Sequence, residues 1–291
     1  MTHAPPLPKI SVITPSFNQG RLIEQTILSV ISQQYPLLEF FILDGGSTDN
    51  TVEIIRKYEK HITYWHSKKD NGQAAAINEG FNRATGSVLC WINSDDMYLP
   101  GVFNRVAAYF TEESSPRIVF GDCIHVNDES GKVRGSSVTL AHERLDLSLC
   151  DYIIQPSSFW NRSAWTLTGQ LNEAMNFAFD WDWFIRAKRA GVDLLPLAGY
   201  LSIYRIHEHH KSGSGGAKRL EELKAVVSTY NNDRLSKAFN KWVRIHSRYS
   251  LASSGMSLSQ RFDLAFLNSL VRWSCFPSLT AKEYASVVAM K

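Results

Sequence analysis

Asn93-Ser-Asp-Asp96 closes an apolar run, Val88-Leu-Cys-Trp-Ile92, and sets two carboxylates side by side. Adjacent carboxylates repel unless a cation compensates or one keeps its proton, so Asp95 and Asp96 point to a divalent metal. Asn93 adds a neutral oxygen two residues earlier, on the same side of an extended chain. The plainer alternative, an Asp cap before Leu99-Pro-Gly-Val-Phe, would need only one of the two. A second acidic pair, Asp180 and Asp182, opens Asp-Trp-Asp-Trp-Phe184. Helix N-termini favour acids, but that leaves Trp181 and Trp183 unexplained. A third cluster is Tyr204-Arg-Ile-His-Glu-His-His-Lys211. It would be a metalloprotease HExxH only with histidine at 211, where the chain has lysine.

Residues so far apart need a frame that gathers loops. Ile10-Ser-Val-Ile-Thr14 is a β-rich run ending at Pro15, and Leu22, Ile23, Thr26, Ile27, Val30 and Ile31 then recur at helical spacing. The unit repeats with Phe40-Phe-Ile-Leu43 and a helix carrying Val52, Ile54, Ile55 and Tyr58. A strand over Ile62 to His66, a helix from about Gln73 to Ala84, the strand to Ile92, a helix near Leu99 and a strand Ile118-Val-Phe120 follow. Strands alternating with helices predict an α/β fold with an open, mostly parallel sheet flanked by helices. Ligands of such sheets bind at the carboxyl ends of the strands. The loops there are polar: Thr14 to Gly20, Asp44 to Asp49, Lys68 to Gln73 and Asn93 to Asp96. Beyond Gly121 the spacing predicts a hairpin turning at Glu129 to Gly131, a short helix near Arg162 to Leu167, a helix from Asp180 to Ala190 and a strand from Tyr200 to Ile206. Ser212-Gly-Ser-Gly-Gly216 is the clearest flexible segment, and two or three helices complete the chain.

With 291 residues, the chain is expected to hold one large domain, or one domain and an appendage. No apolar run approaches the roughly 20 residues of a membrane span, and the Pro-rich start lacks a secretory leader's apolar stretch. A cytoplasmic protein is expected. Cys90, Cys123, Cys150 and Cys275 lie far apart, which argues against a zinc site and a disulfide framework. Charge is uneven: the chain is +3 overall, yet residues 217 to 291 carry twelve Lys/Arg against five Asp/Glu. The tail is therefore +7 and the rest about −4. Two readings of that tail stand, an anionic partner and a solvated helical face.

Four blocks carry a resemblance: Ile10-Ser-Val-Ile-Thr-Pro-Ser-Phe-Asn18, Asp44-Gly-Gly-Ser-Thr-Asp-Asn-Thr51, Asp70-Asn-Gly-Gln-Ala-Ala-Ala-Ile-Asn-Glu-Gly80 and Asn93-Ser-Asp-Asp96. In order and spacing the chain resembles the family 2 glycosyltransferases, inverting enzymes of the GT-A fold. The similarity continues through Gln155-Pro156, Asp180-Trp-Asp182 and Tyr204-Arg-Ile-His207. It implies a GT-A catalytic domain over residues 1–211, then a flexible and basic helical extension over 212–291. It also implies that Thr14, Pro15, Ser16, Asn18, Asp44, Asp70, Gly72, Gln73, Asn93 and Ser94 bind the nucleotide. Asp44 as a carboxylate would accept N3–H of uracil or thymine, hence a UDP- or dTDP-sugar donor. Asp95, Asp96 and His207 would bind Mg2+ or Mn2+ on the diphosphate, with Arg205 and Lys211 neutralising the leaving group. Asn93 replaces the first Asp of the family's DxD motif, which weakens its ribose contact and leaves Asp95 as main ligand. Asp49 reads as a helix cap.

An inverting transfer needs one base for the acceptor hydroxyl. By resemblance that is Asp180. Asp182 cannot share its helical face, and is read as a supporting or capping group. Gln155, Trp181 and Trp183 complete the acceptor side, the indoles as an apolar wall or a platform for a sugar ring. The acceptor implied is a glycan or lipid-linked glycan, in bacterial surface polysaccharide synthesis. Residues His207 to Gly216 are expected to form a lid hinged on glycines. Phe262, Phe266 and Leu270 share a helical face beside Lys241, Arg244 and Arg248, so the tail either caps the domain or lies peripherally on the membrane's inner face. Nucleic acid is not expected, since no binding module accompanies the charge. Two alternatives remain: a metal-dependent sugar nucleotidyltransferase and a non-catalytic sugar-nucleotide-binding protein. The first would carry a basic Gly-rich loop after the first strand, and the second would lack the base or the metal carboxylate.

Overall fold

The computed structural model describes residues 6–110, 115–208, 210–211, 215–253 and 278–289. Four strands form a parallel core: β1 (Ile10–Ser16), β2 (Leu38–Asp44), β3 (Tyr64–Ser67) and β4 (Val88–Trp91), in the order β3-β2-β1-β4. Every residue of β1 is buried, as expected of a strand covered on both faces. The crossovers are α1 (Ile23–Ile31), α2 (Thr51–Lys57) and α3 (Gln73–Arg83). On α1, Ile23, Thr26, Ile27 and Val30 are buried at i, i+3, i+4 and i+7. On α3, Gly80 lets the helix approach β1 so closely that a Cβ would sit 2.5 Å from Ile13 Cγ2.

The sheet goes on through β5 (Met97–Tyr98), β6 (Arg117–Asn127), β7 (Val133–Gly135), β8 (Ser158–Asn161) and β9 (Asp193–Ile206). Its full order is β3-β2-β1-β4-β8-β6-β9-β5, with β7 paired to β6. The expected open α/β sheet is what the chain adopts, but its second half is mixed. Strand β8 runs antiparallel between β4 and β6, while β6 and β9 are parallel. Strand β9 begins at Asp193 rather than Tyr200, because it pairs with β6 along its length past Pro196 and Gly199, residues that hide a strand from propensity. The helix expected near Leu99 begins at Val102, since Met97 and Tyr98 are drawn into pairing with β9; it is α4 (Val102–Ala107). The hairpin at Glu129 to Gly131 forms as expected between β6 and β7. Helices α5 (Val138–Arg144), α6 (Arg162–Thr168) and α7 (Phe179–Arg189) follow.

The chain divides into two compact units, Met1–Leu140 with Ile153–Arg219, and Ala141–Tyr152 with Leu220–Lys291. The first holds the whole sheet. The tail helices are α8 (Gly216–Tyr230), α9 (Asp233–Ser253) and α10 (Ala281–Ala289). Within the second unit, Asp146 N–H donates to Ser286 Oγ at 2.7 Å and Ser148 Oγ to Asn231 Oδ1 at 2.9 Å. Leu235, Phe239 and Trp242 bury one face of α9, while Lys237, Lys241 and Arg244 are exposed on another. The face expected at Phe262, Phe266 and Leu270 lies outside the described residues, as do His209 and Ser212 to Ser214 of the expected lid. Among the described residues no helix is long and apolar enough to cross a membrane.

Candidate active site

The loop after β4 is held from below by polar side chains of α1 and of the turn that follows it. Thr26 Oγ1 donates to the Asp96 carbonyl at 2.7 Å, Ser29 Oγ accepts Tyr98 N–H at 3.1 Å, and Gln33 Nε2 donates to the Leu99 carbonyl at 2.9 Å. Thr26 and Ser29 share one face of α1 at i and i+3, and Gln33 follows just past the helix end, so this one segment fixes the backbone that carries both carboxylates. Asp95 faces His207, whose Nε2 stands 3.1 Å from Asp95 Oδ2. Asp96 turns inward. It is 1% exposed, and its Oδ1 accepts Arg205 N–H at 3.1 Å. Burial, and then the charge on Asp95, push the Asp96 carboxyl well above the usual carboxylate range. The expectation of Asp96 as a metal ligand is corrected accordingly, because both its oxygens are engaged within the protein, Oδ1 by Arg205 N–H and Oδ2 by Asn93 Nδ2 at 3.4 Å.

Carboxylate oxygen is an ordinary donor to Mg2+ or Mn2+, whereas imidazole nitrogen is taken by the softer Mn2+ more readily than by Mg2+, so Asp95 fits either ion and Asp95 with His207 fits Mn2+ better. Among the described residues no group of three or more His, Cys, Asp or Glu side chains could hold a metal. The pair would therefore supply two ligands and leave the remainder to substrate oxygens and water.

A chain of amides links this pair to the rest of the rim. Gln73, the first residue of α3, donates from Nε2 to Asn93 Oδ1 at 2.7 Å and accepts Lys211 Nζ at 2.7 Å. Gln155 is buried and donates to the Trp91 carbonyl at 2.7 Å. Lys211 Nζ lies 5.4 Å from the ring centre of Phe179 and 5.8 Å from that of Phe177. Asp180, the second residue of α7, lies beside it. Burial raises the Asp180 carboxyl above its ordinary value, against the Trp181 N–H, which donates to Oδ1 at 2.8 Å, and the charges of Lys211 and Arg219. The structure thus gathers Gln73, Asn93, Asp95, Gln155, Asp180, His207 and Lys211 on one rim. Ser94 is buried within the turn.

Arg205 departs from its expected role. Its Nε and Nη2 donate to the two oxygens of Asp128 at 3.2 and 2.7 Å, and Nη1 donates to Gln25 Oε1 at 2.6 Å. A guanidinium with each nitrogen so engaged is not aimed at a diphosphate. Trp181 and Trp183 depart too. Both are fully buried, and Trp183 packs against Trp160 and Trp165 while its Nε1 donates to the Gly169 carbonyl. No ring face is open for a sugar, so the indoles are core. Asp182 accepts Arg186 Nε at 2.8 Å, four residues on along α7.

The rim of β1 and β2 is built differently. Register aligns Ser16, Asp44 and Ser67 in one row. Asp44 is wholly buried, and its carboxylate accepts Gly46 N–H, Ser47 N–H, Ser47 Oγ and Ser67 Oγ. A base N3–H could be accepted only in exchange for one of these. Asn18, at φ 51°, donates N–H to Ser47 Oγ and accepts Thr48 N–H at 2.9 Å, so its side chain stitches two loops together. Asp49 binds Gly20 N–H and Thr51 N–H at the start of α2, close to the capping role expected. Asp70 accepts Gly72 N–H at 2.8 Å, and Gly72, at φ 106°, stands just before α3 with open space where a Cβ would sit. Pro15 is buried in β1, whereas Thr14 Oγ1 and Ser16 Oγ are buried without a hydrogen-bond partner among the described residues. Phe17 is 59% exposed beside them. Sequence reading passed over this ring, although an aromatic residue in a polar loop was the signal that could have singled it out.

The profile described as Glycosyl transferase family 2 matches residues 11–180, more than half of the chain. A PGL/p-HBAD biosynthesis glycosyltransferase of Mycobacterium bovis is 29% identical over 184 residues, 62% of this chain and 69% of that protein. TuaG of Bacillus subtilis, named for teichuronic acid biosynthesis, is 36% identical over 119 residues, 39% of this chain and 46% of its own length. The chain thus spans under half of that relative. In structure, S. aureus TarS 1-349 in complex with UDP superposes with TM-score 0.59 at 18% identity, covering 87% of this chain and 77% of that one. Mannosyltransferase PcManGT from Pyrobaculum calidifontis, in complex with GDP-Man and Mn2+, gives 0.57 at 16% identity over 98% and 88%. At such identities the likeness is one of fold, a GT-A type sheet flanked by helices. With its profile match and its curated relatives together, this chain belongs to glycosyl transferase family 2.

Proposed function

We propose that the protein is an inverting, metal-dependent glycosyltransferase that moves a sugar from a UDP- or dTDP-sugar to a hydroxyl of a glycan or lipid-linked acceptor. Residues 1–211 would form the catalytic domain and 212–291 its extension. The observation that carries the reading is the convergence of Asp95 with His207, and of Asp180 with Lys211, on one rim of the sheet. Asp180 takes the proton of the acceptor hydroxyl as its oxygen bonds to the anomeric carbon, and the bond to the diphosphate breaks on the opposite face, its electron pair leaving with the nucleotide. A carboxyl raised by burial is a better base near neutral pH than an exposed one. Lys211 balances charge on the departing diphosphate, held between Gln73 and the Phe179 ring. Mg2+ or Mn2+ on Asp95 and His207 would supply further charge neutralisation there, and would relieve the crowding of Asp95 and Asp96. The partnerless hydroxyls of Thr14 and Ser16 and the exposed Phe17 ring suit a nucleoside.

Relatives named for teichuronic acid and PGL/p-HBAD biosynthesis favour a cell-surface glycan as product, made at the inner face of the membrane. The exposed Lys237, Lys241 and Arg244 of α9 suit peripheral contact with anionic lipid there. The test of the catalytic reading is release of nucleoside diphosphate from a panel of UDP- and dTDP-sugars, with Mn2+ and with EDTA. Release from one donor class, lost in EDTA, is expected; equal release in EDTA contradicts the metal, and release from neither class contradicts the donor.

A further inference from the structure

Arg205 was expected to meet the diphosphate, and its guanidinium is instead committed within the protein. The side chain spans three elements. It leaves β9 at its end, takes Asp128 just beyond β6 in a two-pronged ion pair at 2.7 and 3.2 Å, and takes Gln25 on α1 at 2.6 Å. Backbone bonds reinforce the corner, since Asp128 N–H donates to the Ile206 carbonyl at 2.9 Å. Arg205 N–H in turn holds Asp96 Oδ1 at 3.1 Å. Two residues later the same strand end delivers His207 to Asp95. The planar fork of arginine suits this duty, because it fixes both distance and angle to a carboxylate in a way a lysine cannot.

Building on the metal-dependent reading above, we propose that Arg205 is a positioning residue. With Asp128 and Gln25 it clamps the end of β9 so that His207 Nε2 stays on Asp95, preorganising the two-donor metal site without touching substrate. Asp128, in the hairpin, thereby becomes part of the enzyme's function although it contacts no reacting group. Supporting groups of this kind are worth about 10- to 100-fold in metal affinity.

The test compares Arg205→Met, Asp128→Ala, the double variant and Arg205→Lys with wild type. The His207 imidazole nitrogen shifts are read first by NMR, assigned with His207→Gln, and need no metal. UDP affinity without metal and Mn2+ affinity with UDP bound are then measured by calorimetry. The proposal expects both single variants to move the His207 signals and to weaken Mn2+ about tenfold, the double variant to do no more than either, Arg205→Lys to recover part, and metal-free UDP binding to stay unchanged. His207 signals at their wild-type positions in both single variants would overturn it. Loss of metal-free UDP binding in Arg205→Met but not in Asp128→Ala would also overturn it, and would return the guanidinium to the diphosphate. Wild type that binds no Mn2+ with UDP would instead count against the metal-dependent function, and the His207 signals would still decide the clamp.

Discussion

Strand β2 begins near one carboxylate, Glu39, and ends on another, Asp44, and the contrast between the two ends of the sheet separates architecture from chemistry. At the amino end, Glu39 accepts Ser11 Oγ, Thr85 N–H, Thr85 Oγ1, Gly86 N–H and Lys9 Nζ. Burial alone would raise this carboxyl, but the hydroxyls of Thr85 and Ser11, the Thr85 N–H and Lys9 bring it down to about 2. At the carboxyl end, Asp96 and Asp180 are pushed the other way, by burial foremost. A carboxylate whose acceptor sites are filled serves the fold. One with few partners on a rim, as Asp180 is and the inward-turned Asp96 is not, is available for a ligand or a proton. Asp44 shows that position alone does not decide: it stands on the functional rim, yet is saturated like Glu39.

Substitutions sharpen this contrast. The largest effect is expected from Asp95→Asn, which should lower turnover on the preferred donor by more than the roughly 100-fold lost when a group that only supports a ligand is removed, while the melting temperature holds. Steady-state rates and a thermal melt on the same sample check it. Glu39→Gln should do the reverse. Because the folded Glu39 carboxyl lies below its unfolded value, its contribution is complete above about pH 4.5 and is lost as pH falls toward about 2. Urea unfolding should show the variant weaker by roughly 3 kcal/mol at pH 7, with that gap closing in acid, and with kcat unchanged. Asp182→Ala breaks the ion pair with Arg186, whose other nitrogens keep the Thr168 and Gln170 carbonyls, and should cost about 2 kcal/mol of stability with little change in rate. The smallest effect is expected at Phe17→Ala, about tenfold in nucleotide affinity by titration, if the exposed ring stacks on the base.

The parallel half of the fold was legible because local pattern and global place agree there. Alternating strand and helix spacings named β1, β2, β4, α1 and α3 within a few residues, and the polar loops behind them lie at the carboxyl ends of the strands. Strand β9 was half missed, since Pro196 and Gly199 break the pattern that pairing with β6 restores. The site was legible by residue type and not by direction. Asp95 meets His207 and Asp180 lies beside Lys211, but spacing cannot say where a side chain is spent. Arg205 had a partner in Asp128 that lies 77 residues away. Trp181 and Trp183 carry the residue type of a sugar platform, yet the aromatic cluster with Trp160 and Trp165 claims the second of them and burial claims both.

In the mechanism proposed above the rim does the chemistry and Asp180 is the base. Asp180→Asn keeps the shape of the carboxyl and removes its ability to take a proton, so donor affinity and transfer to acceptor should separate. Calorimetric binding of UDP with Mn2+ should match wild type, while transfer falls by at least roughly a hundredfold. An Asp180→Asn enzyme that transfers within a few-fold of wild type, above all beside an Asp182→Asn enzyme that is inactive, would contradict the account.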